Sequence, residues 1–180
     1  MTRNPRWTED EVQDVLTAMS APFDFTTCVV VPNVAYGLRS AIGNCREMDL
    51  VVLKGKSFHG VEIKTNRLDL LRDKRKQCNR LGYPAPALKY RWFAVPEHLV
   101  RDVFAEVDPR CGVLSVVRTR VWYRDRPSMV RHDWRLVRDP REWEGTRDPT
   151  PAEVLKFLRL GVMRYWALRR RNQRKGIAVP

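Results

Sequence analysis

Asp49, Glu62 and Lys64 are the residues of this chain whose types and spacing could do chemistry. Glu62-Ile63-Lys64 reads as the end of a β-strand, where side chains alternate, so the carboxylate and the amine share a face. Asp49 opens the strand before it, residues 48–53, which the turn Lys54-Gly55-Lys56-Ser57 joins to residues 58–64. Pairing Leu53 with Phe58 sets Asp49 opposite Glu62 and Glu47 opposite Lys64. Opposed side chains of an antiparallel pair lie about 4.5 to 5.5 Å apart at Cβ, and like charges there are destabilising. Two carboxylates at one end of a sheet, beside apolar Val51 and Leu53, are therefore costly unless a cation compensates them. Mg²⁺ or Mn²⁺ does so, because such hard ions take oxygen ligands, commonly one or two carboxylates with waters and substrate phosphates. Lys64 is then placed to orient or deprotonate a water beside the ion. This is the equipment for hydrolysing a phosphodiester. The plain alternative is a solvated Glu/Lys ladder on an exposed hairpin. Glu-x-Lys alone recurs by chance, and it is Asp49, the turn and the basic helix that follows which make the set specific.

The elements that must position these residues can be read outward from the hairpin. Thr8 and Glu11 form a capping box ahead of Val12, Val15, Leu16 and Met19 at helical spacing, a helix that ends near Pro22. Residues 26–31 read as a strand stopped by Pro32, and 33–44 as a loop. After Thr65 the period turns helical, with Asn66 as N-cap, Asp69 in the first turn and Leu68, Leu71, Cys78 and Leu81 in one stripe. Gly82-Tyr83-Pro84 closes that helix, and residues 90–95 form a strand that should lie parallel to 61–64 after a right-handed crossover. A short helix from Pro96 to about Glu106 and a strand over 112–117 follow; residues 118–145 blur into edge strands or an ordered excursion. A final helix over about 149–172 aligns Val154, Leu155, Leu158, Val162, Tyr165 and Trp166 on one side, with arginines crowding its end. Pro140 to Pro151 reads as a linker, dividing the chain into 1–139 and 140–180.

With 34 Lys and Arg against 21 Asp and Glu, the net charge is +13 on a chain of 180 residues that is 43% hydrophobic. That is a folded domain with a basic surface, and its partner is expected to be a polyanion, DNA first, with RNA not separable from it. Lys74, Arg75, Lys76 and Arg80 follow the strand of Lys64 closely enough to meet backbone phosphates, and backbone contact is expected also of the terminal group Arg169, Arg170, Arg171, Arg174 and Lys175. Tyr90 and Trp92 share a strand face and could stack on bases, though core packing suits Trp92 better. Cys28, Cys45, Cys78 and Cys111 are each at least 17 residues from the next, and His59, His98 and His132 add no ligand spacing, so no zinc site is expected. Ser-His-Asp, P-loop and dinucleotide-glycine patterns are absent, which removes support for acyl transfer, nucleotide hydrolysis and hydride chemistry. With no secretory or membrane-spanning pattern, a reduced, cytoplasmic protein without membrane contact is the simplest reading.

Asp49 followed by Glu62-Ile63-Lys64 resembles the PD-(D/E)XK nuclease superfamily, whose restriction-endonuclease-like core is an α/β fold, a mixed sheet flanked by helices in the order α-β-β-β-α-β. The closer likeness is to the MmcB-like DNA repair proteins and related phage-borne nucleases. It rests on residues 62–69 with Asp73-Lys74, on Trp92-Phe93-Ala94-Val95-Pro96 and on Gly112-Val113-Leu114, and covers about residues 8 to 118. The resemblance implies metal binding by Asp49 and Glu62, a third contact through the Ile63 carbonyl, and catalytic Lys64, with Mg²⁺ or Mn²⁺ as cofactor. It also implies DNA contact by Arg67 and the cations after it, and cleavage leaving a 5′-phosphate. The superfamily often adds a glutamate from the first helix; Glu9 fits the usual placement three before an apolar residue, while Glu11 completes the cap. Met48 stands where proline is familiar. Many members act as dimers, so a homodimer is among the arrangements implied. The function expected is a deoxyribonuclease of repair, recombination or phage DNA processing. Its rivals are a nuclease fold that holds nucleic acid without cutting and a subunit of a larger restriction or repair assembly.

Overall fold

A computed structural model of the chain describes residues 6–35, 41, 47–73, 85–123 and 126–174. Its elements run α1 (Glu9–Thr17), β1 (Val29–Ala35), β2 (Glu47–Lys54), β3 (Ser57–Ile63), α2 (Arg67–Asp73) and β4 (Leu88–Pro96). A 3₁₀ turn (Glu97–Leu99) leads into α3 (Val100–Glu106), followed by β5 (Gly112–Tyr123), β6 (Arg126–Arg138) and α4 (Pro151–Arg174). The strands make one six-stranded sheet in the spatial order β1-β2-β3-β4-β5-β6. β3–β4 and β4–β5 are parallel and the other neighbours antiparallel, so the architecture is α/β with a mixed sheet flanked by helices.

Side-chain alternation assigns the layers. Leu50, Val52, Val61, Ile63, Ala94 and Leu114 pack with Val12, Val15 and Leu16 of α1. Their strand neighbours point the other way, in two clusters. Val31, Val51, Phe58 and Leu88 meet Phe157 of α4, and Phe93, Val95 and Val113 meet Leu70 of α2 and Val103 of α3. β3 is buried on both faces, which carries its last polar residues into the interior.

Local signals formed the elements expected of them. Thr8 Oγ1 accepts the Glu11 amide at 3.2 Å and Glu11 Oε2 accepts the Thr8 amide at 2.8 Å, closing the capping box. Leu53 pairs with Phe58 across Gly55-Lys56, and Gly55 has φ 59°, a left-handed conformation that glycine adopts without strain. The parallel pairing of β3 with β4 is also as expected.

Other stretches differ. β1 starts and ends later than the sequence suggests and runs through Pro32, because it is the sheet's edge, where a proline nitrogen facing outward costs no ladder bond. Asn33 takes φ 51° within it. The blurred stretch after Val117 is a long antiparallel pair, β5 with β6. Residues 139–150 run back over the sheet: Trp143 is 9% exposed and its amide donates to the Lys89 carbonyl at 3.0 Å. Thr150 then caps α4, Glu153 reciprocates, and Arg147 forks onto Glu153 with two bonds of 2.7 Å. Those Arg147 bonds, joined by the Thr150 amide, hold the Glu153 carboxyl down to about 2. α4 meets the sheet through Phe157, whose ring lies 5.0 Å from Phe58. Leu155, Leu158, Val162, Tyr165 and Trp166 lie on the side away from the sheet, 39% or more exposed. No helix among the described residues is long and apolar enough to cross a membrane.

Candidate active site

The end of the β2–β3 hairpin gathers the three residues singled out by spacing. Lys64 Nζ lies 3.0 Å from Glu62 Oε2 and 3.6 Å from Asp49 Oδ2. The side chains of Lys64 and Glu62 are 6% and 7% exposed, that of Asp49 19%. The two acids meet at the Lys64 ammonium, and the ladder stops one step short of the Asp49–Glu62 pair expected. The β2–β3 ladder is recorded from Leu50–Val61 to Lys54–Ser57, and at the next step the Asp49 carboxylate takes the strand's place by accepting the Ile63 amide at 2.6 Å. Lys64 continues the sheet on its other side, its amide donating to the Ala94 carbonyl at 3.0 Å. Its ammonium meets both acids. Glu47 pairs through its backbone with Ala35 of β1, and its side chain lies outside the described residues.

Burying ions costs several kcal/mol each unless partners replace the lost water. Here one ammonium answers two carboxylates, so the set carries a formal charge of −1, and a divalent cation would take it to +1. The donor chemistry fits a hard ion. Oxygen donors converge at Asp49 and Glu62, whereas His59 and Cys111 are committed elsewhere. His59 is 8% exposed, its Nδ1 accepts the Trp92 indole N–H at 3.2 Å, and burial pushes its pKa down to about 4. Cys111 is buried among apolar residues, which pushes its thiol up to about 12. Among the described residues no three His, Cys, Asp or Glu side chains gather, and Mg²⁺ characteristically needs only one or two carboxylates.

The remaining expected residues fall into four groups. Glu9 is exposed on the first turn of α1, where Gln13 donates to it at 3.2 Å. Glu11 is engaged by Thr8 and by the Arg118 guanidinium at 2.8 Å; the Thr8 amide first, with Arg118 assisting, lowers its pKa. Arg67 pairs with Asp102 of α3 at 3.0 Å and is 67% exposed; Asp69 is held by Asn66, the N-cap of α2, and by Arg72 at 3.6 Å. Lys74, Arg75, Lys76 and Arg80 lie outside the described residues. Tyr90 stacks on His59 at 4.7 Å and Trp92 is buried beside Phe23, so both rings are occupied within the protein.

A groove of about 950 Å³ includes Thr65 and Asn66, which follow Lys64 in the chain, and is lined by Arg6, Arg67, Arg72 and Arg118 against Asp69, Glu97 and Asp102, with Trp7. Arg118 and Trp7 were not singled out from sequence. The signal available was the period-two run Arg118, Arg120, Trp122, which lacks a buried face to set it apart. Comparison with protein-family models, with curated proteins and with solved structures found no match.

Proposed function

We propose that this chain is a metal-dependent nuclease on a restriction-endonuclease-like core, hydrolysing DNA phosphodiesters with an activated water. The observation that carries the reading is the convergence of Asp49, Glu62 and Lys64 at one strand end, with the ammonium within 3.0 and 3.6 Å of the two carboxylates. The helix, three strands, helix and strand that frame it support the core assignment. The arginine-lined groove beside it, in a chain of net charge +13, supports a nucleic acid substrate.

Asp49 and Glu62, with the Ile63 carbonyl, would hold Mg²⁺ or Mn²⁺, which when bound supplies positive charge to the phosphoryl oxygens and lowers the pKa of a bound water. The Ile63 amide fixes the Asp49 carboxylate, so this acid is preorganised before anything binds. Lys64, buried beside both acids, orients the attacking water and steadies charge developing on the phosphate. Arg67 and Arg72 stand exposed in the groove to meet the backbone on either side of the cleaved bond.

Nicking of supercoiled plasmid in Mg²⁺ or Mn²⁺ tests the reading. Wild type cuts, and Asp49→Asn, Glu62→Gln and Lys64→Met proteins that still bind DNA do not. A second reading, a nuclease fold that holds DNA without cutting it, is favoured by one fact: Lys64 already compensates one carboxylate, so the cluster can persist without a metal. Equal behaviour of wild type and all three variants would favour that second reading.

A further inference from the structure

β5 pairs with β4 only from Gly112 to Val116, yet it continues to Tyr123 and pairs with β6 throughout. Beyond Val117 and Asp133 the two strands therefore leave the sheet as a free ribbon, about 23 Å long at 3.3 Å per residue. Residues 117–137 carry six arginines against two aspartates. Trp122 is 74% exposed and Arg120 lies over its ring at 5.5 Å; on the ribbon's other face Arg131, opposite Thr119, is 66% exposed and pairs with Asp133 at 3.6 Å. An exposed tryptophan among arginines stabilises no core.

The ribbon is braced at its base. Arg118 bonds Glu11 of α1 at 2.8 Å and covers the Trp7 ring at 4.2 Å, while Trp7 packs on His132 of β6 at 5.0 Å. Trp7 and Arg118 also line the groove that Thr65 and Asn66 line. The base of a cationic arm thus lines the same groove as Thr65 and Asn66, the residues that follow Lys64 in the chain.

We propose that the β5–β6 ribbon is a duplex-DNA arm, entering a major groove with Arg120 and Arg131 on phosphates and Trp122 at its outer end. The inference rests on the nuclease reading above and specifies its substrate as double-stranded. A two-stranded ribbon fits the major groove, about 12 Å wide, which a single strand does not possess. The charge is of the sign that phosphate requires, and Val117 and Arg118 at the arm's base line the groove that Thr65 and Asn66 also line.

The test is binding of the full chain to a labelled random-sequence duplex across a salt series in chelator, with the same strand unpaired as competitor. Arg120→Gln with Arg131→Gln should weaken duplex binding about tenfold near 0.1 M salt and flatten the log–log salt slope by about 2. Both side chains are exposed, so the melting temperature should not move. Trp122→Ala should weaken duplex binding a further few-fold. Wild-type affinity and slope in the double variant would overturn the arm while leaving the nuclease reading intact, provided wild type still cuts plasmid. Preference for the single strand that vanishes in Trp122→Ala would make the ribbon a stacking platform and also overturn the proposal. A wild type that neither binds nor cuts nucleic acid removes both readings together.

Discussion

The Asp49 carboxylate accepts the Ile63 amide at 2.6 Å, so the acid at the start of β2 closes the backbone ladder at the end of β3. One side chain thus does two jobs that substitution can separate. Asp49→Asn keeps an oxygen for the Ile63 amide, whereas Asp49→Ala leaves that amide unpaired at a cost of about 1–3 kcal/mol. Chemical denaturation should rank the alanine variant below the asparagine variant, while plasmid nicking is lost in both. Equal stability of the two would remove the ladder-closing role.

Lys64 stands between two acids, and removing it leaves uncompensated buried charge. Lys64→Met should lose roughly 3–5 kcal/mol in chelator, the usual effect of taking one partner from a buried pair. A divalent cation should then recover part of the loss, about 1.4 kcal/mol when present at ten times its dissociation constant. Urea midpoints in chelator and in Mg²⁺ measure this. A midpoint indifferent to Mg²⁺ in both wild type and variant would contradict ion binding by Asp49 and Glu62.

His59 is held neutral by burial, with Lys54 adding a smaller push in the same direction, and its pKa falls from 6.5 to about 4. The folded state therefore binds a proton less readily than the unfolded one. The associated stability is fully present above pH 6.5 and lost as pH falls through 4. The loss amounts to about 3 kcal/mol at 1.36 kcal/mol per unit. Melting curves over that window should show the decline, and His59→Asn, whose amide oxygen can still accept from Trp92, should flatten it.

What could be read in the sequence was what local chemistry determines. Gly55 fixed the turn, Leu53 and Phe58 fixed the register, and the strand-helix-strand spacing fixed the parallel partner, so Asp49, Glu62 and Lys64 were brought to one place by short-range rules. The ladder-closing bond of Asp49 was not legible, because it replaces a strand pair that alternation alone would continue. The β5–β6 ribbon was blurred for a related reason: past Val117 neither face is buried, so its sequence lacks the apolar alternation that marks a strand. Pro32 misled until the sheet order made β1 an edge. In α4 the apolar row that reads most clearly is exposed except for Val154, which packs on the core with Leu160 and the fully buried Phe157, and both of these sit off that row.

A Mn²⁺-soaked crystal tests the central claim most directly. The account predicts an anomalous peak within coordination distance of both the Asp49 and Glu62 carboxylates, absent from an Asp49→Asn crystal soaked alike. A clean cluster at millimolar Mn²⁺, with Lys64 still bridging both acids, would contradict it.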